Sequence, residues 1–392
     1  MTNFIQPLNP LITEMAPDKL LAFQKTVRDI PDILKLTLGE PGFSVDERIK
    51  TAATEALNNN RSHYAESQGE RELRVEAVKY FNAKYHLNYR DEDNVIVTLG
   101  VSEAINVVLN TLLGKNEGLL MPEPTYGPYF TSLDLAHGTK ITIDTTPNRF
   151  KLTPQMIDEA VSSATVPVRA ILMNYPANPT GVTYSRDEII ELAEMCKKHK
   201  LWIISDEIYS LLTYDQEHVS FSEIIPEQTI YINGLSKSHA MTGYRVGFIL
   251  AAADVIAEMQ KVHGALTFAV PTFIQDAALV ALRDVNDTPI VMRDAYKARR
   301  DRILPQLQNL GFDVVSPEGA FYLFAKLPVD LGEDGDAFAL KLAQEGKVAV
   351  IPGSGFSDAA RAYIRISYAA SDADLDEGMR RLVAYVNQLR GK

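Results

Sequence analysis

Short, almost wholly apolar runs alternate along this chain with longer segments whose apolar residues return every three or four positions. Runs at 94–99 (NVIVTL), 118–121 (GLLM), 140–144 (KITID), 169–174 (RAILMN), 201–205 (LWIIS), 229–233 (TIYIN) and 246–250 (VGFIL) predict β-strands. Several lack any polar alternation, as strands covered on both faces must. The intervening segments predict helices with marked starts: Thr153 precedes Pro154, and Ser185 with Glu188 fits a capping box. Strand, helix, strand repetition predicts an α/β fold, with a mostly parallel seven-stranded sheet between helices and right-handed crossovers.

Two helices are predicted ahead of the sheet, at 46–58 and 70–85. After it, a long helical stretch over about 275–310, interrupted near 286–289, leads to a second, smaller α/β unit. That unit should hold strands near 312–316, 320–326, 347–351 and 361–367 and a helix around 336–345. Its last helix is capped by Ser371, with Leu375, Met379, Leu382, Val383 and Val386 on one face. The expected division is a large domain over 45–285 and a small domain made of 1–44 and 286–392.

A chain of 392 residues with 46% apolar and 23% charged residues is ordinary globular composition, too long for one compact core. Net charge is −12, with no basic cluster, which argues against nucleic acid and anionic membranes as partners. The amino terminus lacks a basic start followed by an apolar core, and no run approaches the roughly 20 apolar residues of a membrane span. These features lead us to expect a soluble, cytoplasmic protein. The single cysteine, Cys196, shares an apolar helical face with Ile189, Leu192 and Ala193, which favours a buried structural thiol over a nucleophile.

Chemistry concentrates in residues 234–248, GLSKSHAMTGYRVGF, where Lys237 stands beside Ser236 and Arg245 follows eight positions on. Lysine forms reversible Schiff bases and arginine grips phosphate with parallel donors, so the pair suits pyridoxal phosphate, which carries an aldehyde and a phosphate on one ring. Alone the pair is weak among 39 lysines and arginines. Ligands of open parallel sheets bind beyond the carboxyl ends of the strands, and those ends are informative. The first run is followed by Gly100, Val101 and Ser102 and at once a helix, a turn that suits phosphate or is a plain connection. The 169–174 run leads into NYPANPTG with Asn178, and the 201–205 run ends on Asp206 with Tyr209 three residues later. An acid ending an apolar strand is either a helix cap or the partner of a buried cation such as a pyridinium. Tyr126 follows another strand.

GVSEA, NYPANPTG, SDEIY, GLSKSHAMTGYRVG and YIRISYA, with GEPGF at 39–43 and YAESQGERELR from Tyr64, resemble the class I and II aminotransferases of the fold-type I pyridoxal phosphate superfamily over essentially the whole chain. The resemblance implies that Lys237 holds the cofactor as a Schiff base and acts as general base, and that Asp206 keeps the ring nitrogen protonated. It implies further that Tyr209 and Asn178 bond the ring oxygen O3′ and that Tyr126 stacks on the ring. Arg245, Ser236 and the Val101 and Ser102 amides would bind the phosphate, and Arg365 the substrate α-carboxylate. Gly39 would let the chain approach the substrate closely. Tyr64 would reach the phosphate of a neighbouring subunit, in a homodimer with shared active sites. No metal is implied. Two positions depart from the family: Gly234 stands where a serine is frequent, and Gly42 replaces the aspartate of GEPDF.

The implied reaction moves an amino group from an L-amino acid to a 2-oxo acid such as 2-oxoglutarate. Ser102 occupies a position that is lysine in a branch of aspartate aminotransferases, which disfavours an acidic donor. The IPDILKLTLGEPGF opening looks like the aromatic amino acid and acetyl-diaminopimelate enzymes, so the expected donor is aromatic or apolar. The alternatives are a carbon–sulfur β-lyase of the cystathionine type, or an aspartate- or acetyl-diaminopimelate-specific aminotransferase. A regulatory protein on this fold would need a DNA-binding domain ahead of it, and the 40 or so residues before GEPGF hold no basic helix-turn-helix pattern.

Overall fold

The computed structural model describes residues 6–391; residues 1–5 and 392, which the expected small domain includes, lie outside the described residues. Seven strands form one sheet: β1 (Val95–Thr98), β2 (Gly118–Glu123), β3 (Thr139–Asp144), β4 (Val168–Asn174), β5 (Trp202–Asp206), β6 (Thr229–Gly234) and β7 (Gly247–Leu250). Their order is β1-β7-β6-β5-β4-β2-β3. All pairings are parallel except those of β7, which runs antiparallel to β1 and to β6. Because β7 is reversed, its beginning, not its end, reaches the edge where the other strands finish.

The absence of polar alternation in these strands has its expected cause. Val95, Val97, Tyr231, Phe248 and Leu250 pack on one face, with helices Arg71–Tyr85 and Thr272–Asp284. Ile96, Ile230, Ile232 and Ile249 point to the other, against helices Val101–Leu112 and Ala253–Leu266. Successive residues serve opposite cores, so both must be apolar. The helix Arg186–Lys198 begins on the capping box of Ser185 and Glu188 and buries Ile189, Leu192, Ala193 and Cys196. Thr153 caps Pro154–Ser163 through the Met156 N–H at 3.3 Å.

A second sheet carries β8 (Asp313–Val314), β9 (Tyr322–Lys326), β10 (Ile351–Pro352) and β11 (Tyr363–Ser367), in the order β10-β11-β9-β8, all antiparallel. It packs with helices Thr288–Asn309, Gly335–Gln344 and Asp372–Leu389. The strand expected near 347–351 divides. Val348–Ala349 pairs in parallel with Leu34–Lys35, while Ile351–Pro352 turns to the four-stranded sheet. Pro352 offers no N–H for a further pairing, and β10 ends there at the sheet edge. The amino-terminal segment thus joins the carboxy-terminal unit, as does helix Lys19–Val27 through Leu20 and Val27.

Among the described residues no helix is long and apolar enough to cross a membrane. Burial pushes the Cys196 thiol up to about 12, so it is neither accessible nor ionised at neutral pH. A thiol-specific chromophoric reagent at pH 8 should leave the folded protein essentially unlabelled and titrate about one thiol per chain in urea. Rapid labelling of the folded chain would refute the structural reading of Cys196.

Candidate active site

One cavity of about 470 Å³ opens beyond the carboxyl edge of the seven-stranded sheet. Its wall holds Gly39, Val101, Ser102, Tyr126, Asn178, Asp206, Tyr209, Ser236, Lys237, Arg245 and Arg365. The sheet topology explains this convergence. The ends of β1, β2, β4, β5 and β6 deliver the residues from Val101 to Lys237, and reversed β7 brings Arg245 just ahead of its start. Arg365 arrives from β11, and Gly39 from the segment after Leu34–Lys35. Tyr64 is outside the cavity, 88% exposed, with its ring 5.0 Å from that of Phe268.

Three charged groups of this wall, Lys237, Asp206 and Arg365, have no ion-pair partner among the described residues. Lys237 donates to the Gly39 carbonyl, and burial pushes its amine down to about 8, with Arg245 and Arg365 adding to the depression and Glu40 and Asp206 opposing it. Asp206 accepts from the Tyr129 hydroxyl at 2.5 Å and the Ile208 N–H at 3.1 Å. Burial raises its carboxyl to about 6, and among the described residues no cation forms an ion pair with it. The adjacent Glu207 is the contrast: it accepts from Ser205 and Ser220 at 2.7 Å each and pairs with His218 at 2.6 Å. Glu207 is internally satisfied, and Asp206 faces the cavity short of a cation.

Arg365 is 4% exposed. Its Nη1 donates to Asn178 Oδ1 at 2.9 Å and its Nη2 to the Thr37 carbonyl at 2.6 Å, while Nε has no partner among the described residues. The guanidinium stands 4.5 Å from the Tyr322 ring centroid and 5.0 Å from that of Phe356. Burial lowers its pKa, and tyrosines rather than carboxylates oppose the shift. A buried guanidinium without an anion is costly unless a ligand supplies one.

At the far side, Gly100 has φ +77° and leads into helix Val101–Leu112, whose first N–H groups have no intrahelical acceptor. A Cβ at Gly100 would come within 2.6 Å of Arg245 Nη2, and one at Gly247 within 2.9 Å of the Val101 nitrogen. Glycines here bring a guanidinium and a helix amino terminus together, a cradle for an anion. Arg245 is itself held by the Thr242 carbonyl at 3.0 Å.

Several wall residues escaped the sequence reading. Asn174, ending β4, accepts from the Asn178 N–H at 2.9 Å and donates to the Asp206 carbonyl at 3.0 Å, fixing two site residues at once. Tyr322 bonds Tyr209 hydroxyl to hydroxyl at 2.7 Å; in the run EGAFYLF it looks like any core-strand tyrosine. Tyr129, in the first turn of helix Pro128–Leu135, meets the Tyr126 ring edge-on with centroids 5.4 Å apart. Leu20, Leu21 and Gln24 line the mouth from helix Lys19–Val27, which the proline-interrupted start obscured.

The pKa of Asp206 near 6 lies above its ordinary 3.8. Between those values the folded ligand-free protein binds the proton more tightly than the unfolded chain, so stability falls as pH rises through that window. At pH 7.5 the ionised carboxylate costs on the order of 1–3 kcal/mol. Ligand-free Asp206→Asn should therefore unfold at a higher temperature than the parent at pH 7.5, the gap narrowing toward pH 5. Equal or lower stability of the variant at pH 7.5 would contradict this electrostatic reading.

The sequence profile described as "Aminotransferase class I and II" matches residues 31–382. A protein named probable N-acetyl-LL-diaminopimelate aminotransferase from Bacillus subtilis is 37% identical over 98% of this chain and 96% of its own length. Aromatic-amino-acid aminotransferase 2 of Thermococcus litoralis is 34% identical, covering 93% and 95%. Among solved structures, Thermus thermophilus aspartate aminotransferase with maleate superposes with a TM-score of 0.91 at 31% identity, over 97% of this chain and 100% of that one. The aromatic aminotransferase of Pyrococcus horikoshii gives 0.88 at 32% identity, over 95% and 99%.

Proposed function

The chain belongs to the class I and II aminotransferases, which are pyridoxal-phosphate-dependent enzymes acting on amino and oxo acids, and we propose that its cavity transaminates aromatic or apolar L-amino acids with 2-oxoglutarate as acceptor. The carrying observation is the set of buried, unpaired charges around one cavity: Lys237, Asp206 and Arg365. These residues fit pyridoxal phosphate. The Gly100 and Arg245 cradle suits its phosphate, the Asp206 carboxylate lacks a cation, and the amine of Lys237 is held near 8.

When bound, pyridoxal phosphate supplies an aldehyde to take the amino group and a ring that accepts the electron pair left at Cα. We assign Lys237 to hold it covalently; once released, the Lys237 amine would take the Cα proton and deliver it to the carbon that had been the cofactor's aldehyde, across the nitrogen from Cα. Its depressed pKa leaves a substantial neutral fraction near pH 7–8, as a base requires. Asp206 would keep the ring nitrogen protonated, Tyr209 and Asn178 would bond O3′, and Tyr126 would cover the ring. The Val101 and Ser102 amides, Ser236 and Arg245 would bind phosphate, and Arg365 would grip the α-carboxylate while Asn178 orients it. Gly39 leaves room there: a Cβ on it would meet the Tyr322 hydroxyl at 2.5 Å.

For the donor, support comes from Leu20, Leu21, Leu38 and Ile105 in the wall, from the uncharged Ser102, and from the aromatic enzymes among its relatives. The 37%-identical Bacillus subtilis relative supports an acetyl-diaminopimelate donor as the second reading. We further propose a homodimer, with Tyr64 reaching its partner's phosphate. Tyr64, Leu99, Leu266 and Phe268 are large apolar groups left exposed, and such exposure suits an interface. We assign 45–285 to the cofactor-binding domain and 1–44 with 286–392 to the small one, and place the protein in the cytoplasm on its acidic, mixed-charge surface and single buried thiol.

The purified enzyme should convert to its amino form fastest with phenylalanine, tyrosine or leucine, without releasing pyruvate, and Lys237→Ala should lose at least about 10³-fold in turnover. A panel dominated by aspartate would overturn the donor assignment. Pyruvate release from cystathionine without an acceptor would indicate β-lyase chemistry. Near-parental activity in Lys237→Ala would refute the role of the lysine.

A further inference from the structure

His263 lies on helix Ala253–Leu266 with its side chain fully buried. Its Nδ1 is 2.7 Å from Glu103 Oε1 and its Nε2 is 2.7 Å from the Ser67 carbonyl oxygen. A carboxylate and a carbonyl are both acceptors, and a neutral imidazole has one N–H to offer. Two such contacts are satisfied only by the doubly protonated ring. Its pKa is raised accordingly: burial opposes the charge, and the Glu103 and Ser67 contacts outweigh it.

Both partners belong to the surroundings of the anion cradle. Glu103 stands in the first turn of helix Val101–Leu112, its side chain 8% exposed, and its other oxygen accepts from the Leu99 N–H at 2.5 Å, in the turn that enters that helix. Ser67 is three residues from Tyr64. Its hydroxyl receives Gln260 Nε2 at 2.8 Å and donates to the Phe268 carbonyl at 2.5 Å. A carboxylate in this first turn competes with a phosphate for the same helix dipole and repels it.

We infer that His263 is a positioning residue for the cofactor phosphate: as an imidazolium it neutralises Glu103 in the first turn of the helix that forms the cradle. The inference rests on the phosphate assignment made above for Val101, Ser102 and Arg245. It involves no contact between His263 and the cofactor. Neutralisation, rather than packing, is its distinguishing feature, because removing the charge of Glu103 should make the imidazolium dispensable. In Glu103→Gln the amide keeps the bond from Leu99 and can donate to Nδ1, leaving His263 neutral with its proton directed to Ser67.

The test is the dissociation constant of pyridoxal phosphate from the holoenzyme, read from cofactor absorbance on dilution and by competition with inorganic phosphate. His263→Ala should weaken binding at least about tenfold, Glu103→Gln should stay within about threefold of the parent, and the double variant should return to the Glu103→Gln value. Unchanged affinity in His263→Ala, or no recovery in the double variant, overturns the inference. Arg245→Ala separates the two proposals. If it fails to loosen the cofactor, the phosphate assignment falls and the inference with it; if it loosens the cofactor while the histidine cycle shows no coupling, the inference alone falls. Should His263→Ala not fold, nitrogen NMR of labelled histidines decides: the parent holoenzyme should show a doubly protonated ring that becomes neutral in Glu103→Gln. A neutral His263 in the parent overturns the inference.

Discussion

The arrangement depends on charges taken out of water without partners. Lys237, Asp206 and Arg365 sit within one cavity, yet none forms an ion pair among the described residues, and the lysine and aspartate are both pushed toward their neutral forms. Their burial is tolerated because hydrogen bonds with neutral groups hold each in place: the lysine donates to the Gly39 carbonyl, the aspartate accepts from Tyr129 and Ile208, and the arginine donates to Asn178 Oδ1 and the Thr37 carbonyl. Such a site is poor for stability and well suited to binding, since a ligand bearing a cationic ring and two anionic groups relieves what the fold leaves unpaid.

The scaffold makes this possible through one reversed strand. Five parallel strands end at the cavity, and β7, antiparallel to both neighbours, starts there, so Arg245 meets the helix amino terminus that follows β1. Glycines at 100 and 247 allow the close approach. The carboxy-terminal unit closes the other side with Arg365 and Tyr322 from adjacent antiparallel strands, where Phe324 and Arg365 face each other in register. Substrate carboxylate and cofactor would thus be held by different sheets, which ties the reacting geometry to how these sheets pack.

Much of this was legible in the sequence because strands buried on both faces leave long apolar runs, and because chemistry at a parallel sheet's edge falls just after each run. Asp206 and Lys237 are polar residues ending such runs, and their placement carries a signal. Arg365 is different: it lies inside a strand, and only its likeness to a family motif distinguishes it from a surface arginine. Asn174, Tyr129 and Tyr322 left no signal of their own, because a hydroxyl or amide that positions another side chain looks in sequence like any satisfied core group. The division of 348–352 between two sheets was likewise hidden, since one apolar run gives no mark of a change in partner.

The proposed attachment of the cofactor at Lys237 is the point on which the roles assigned to the other cavity residues depend. Reducing the holoenzyme with borohydride and mapping its peptides by mass spectrometry tests it directly. The account predicts one pyridoxyl group, on the peptide containing Lys237. Label on a different lysine, or none in protein that retains its cofactor absorbance, would contradict it.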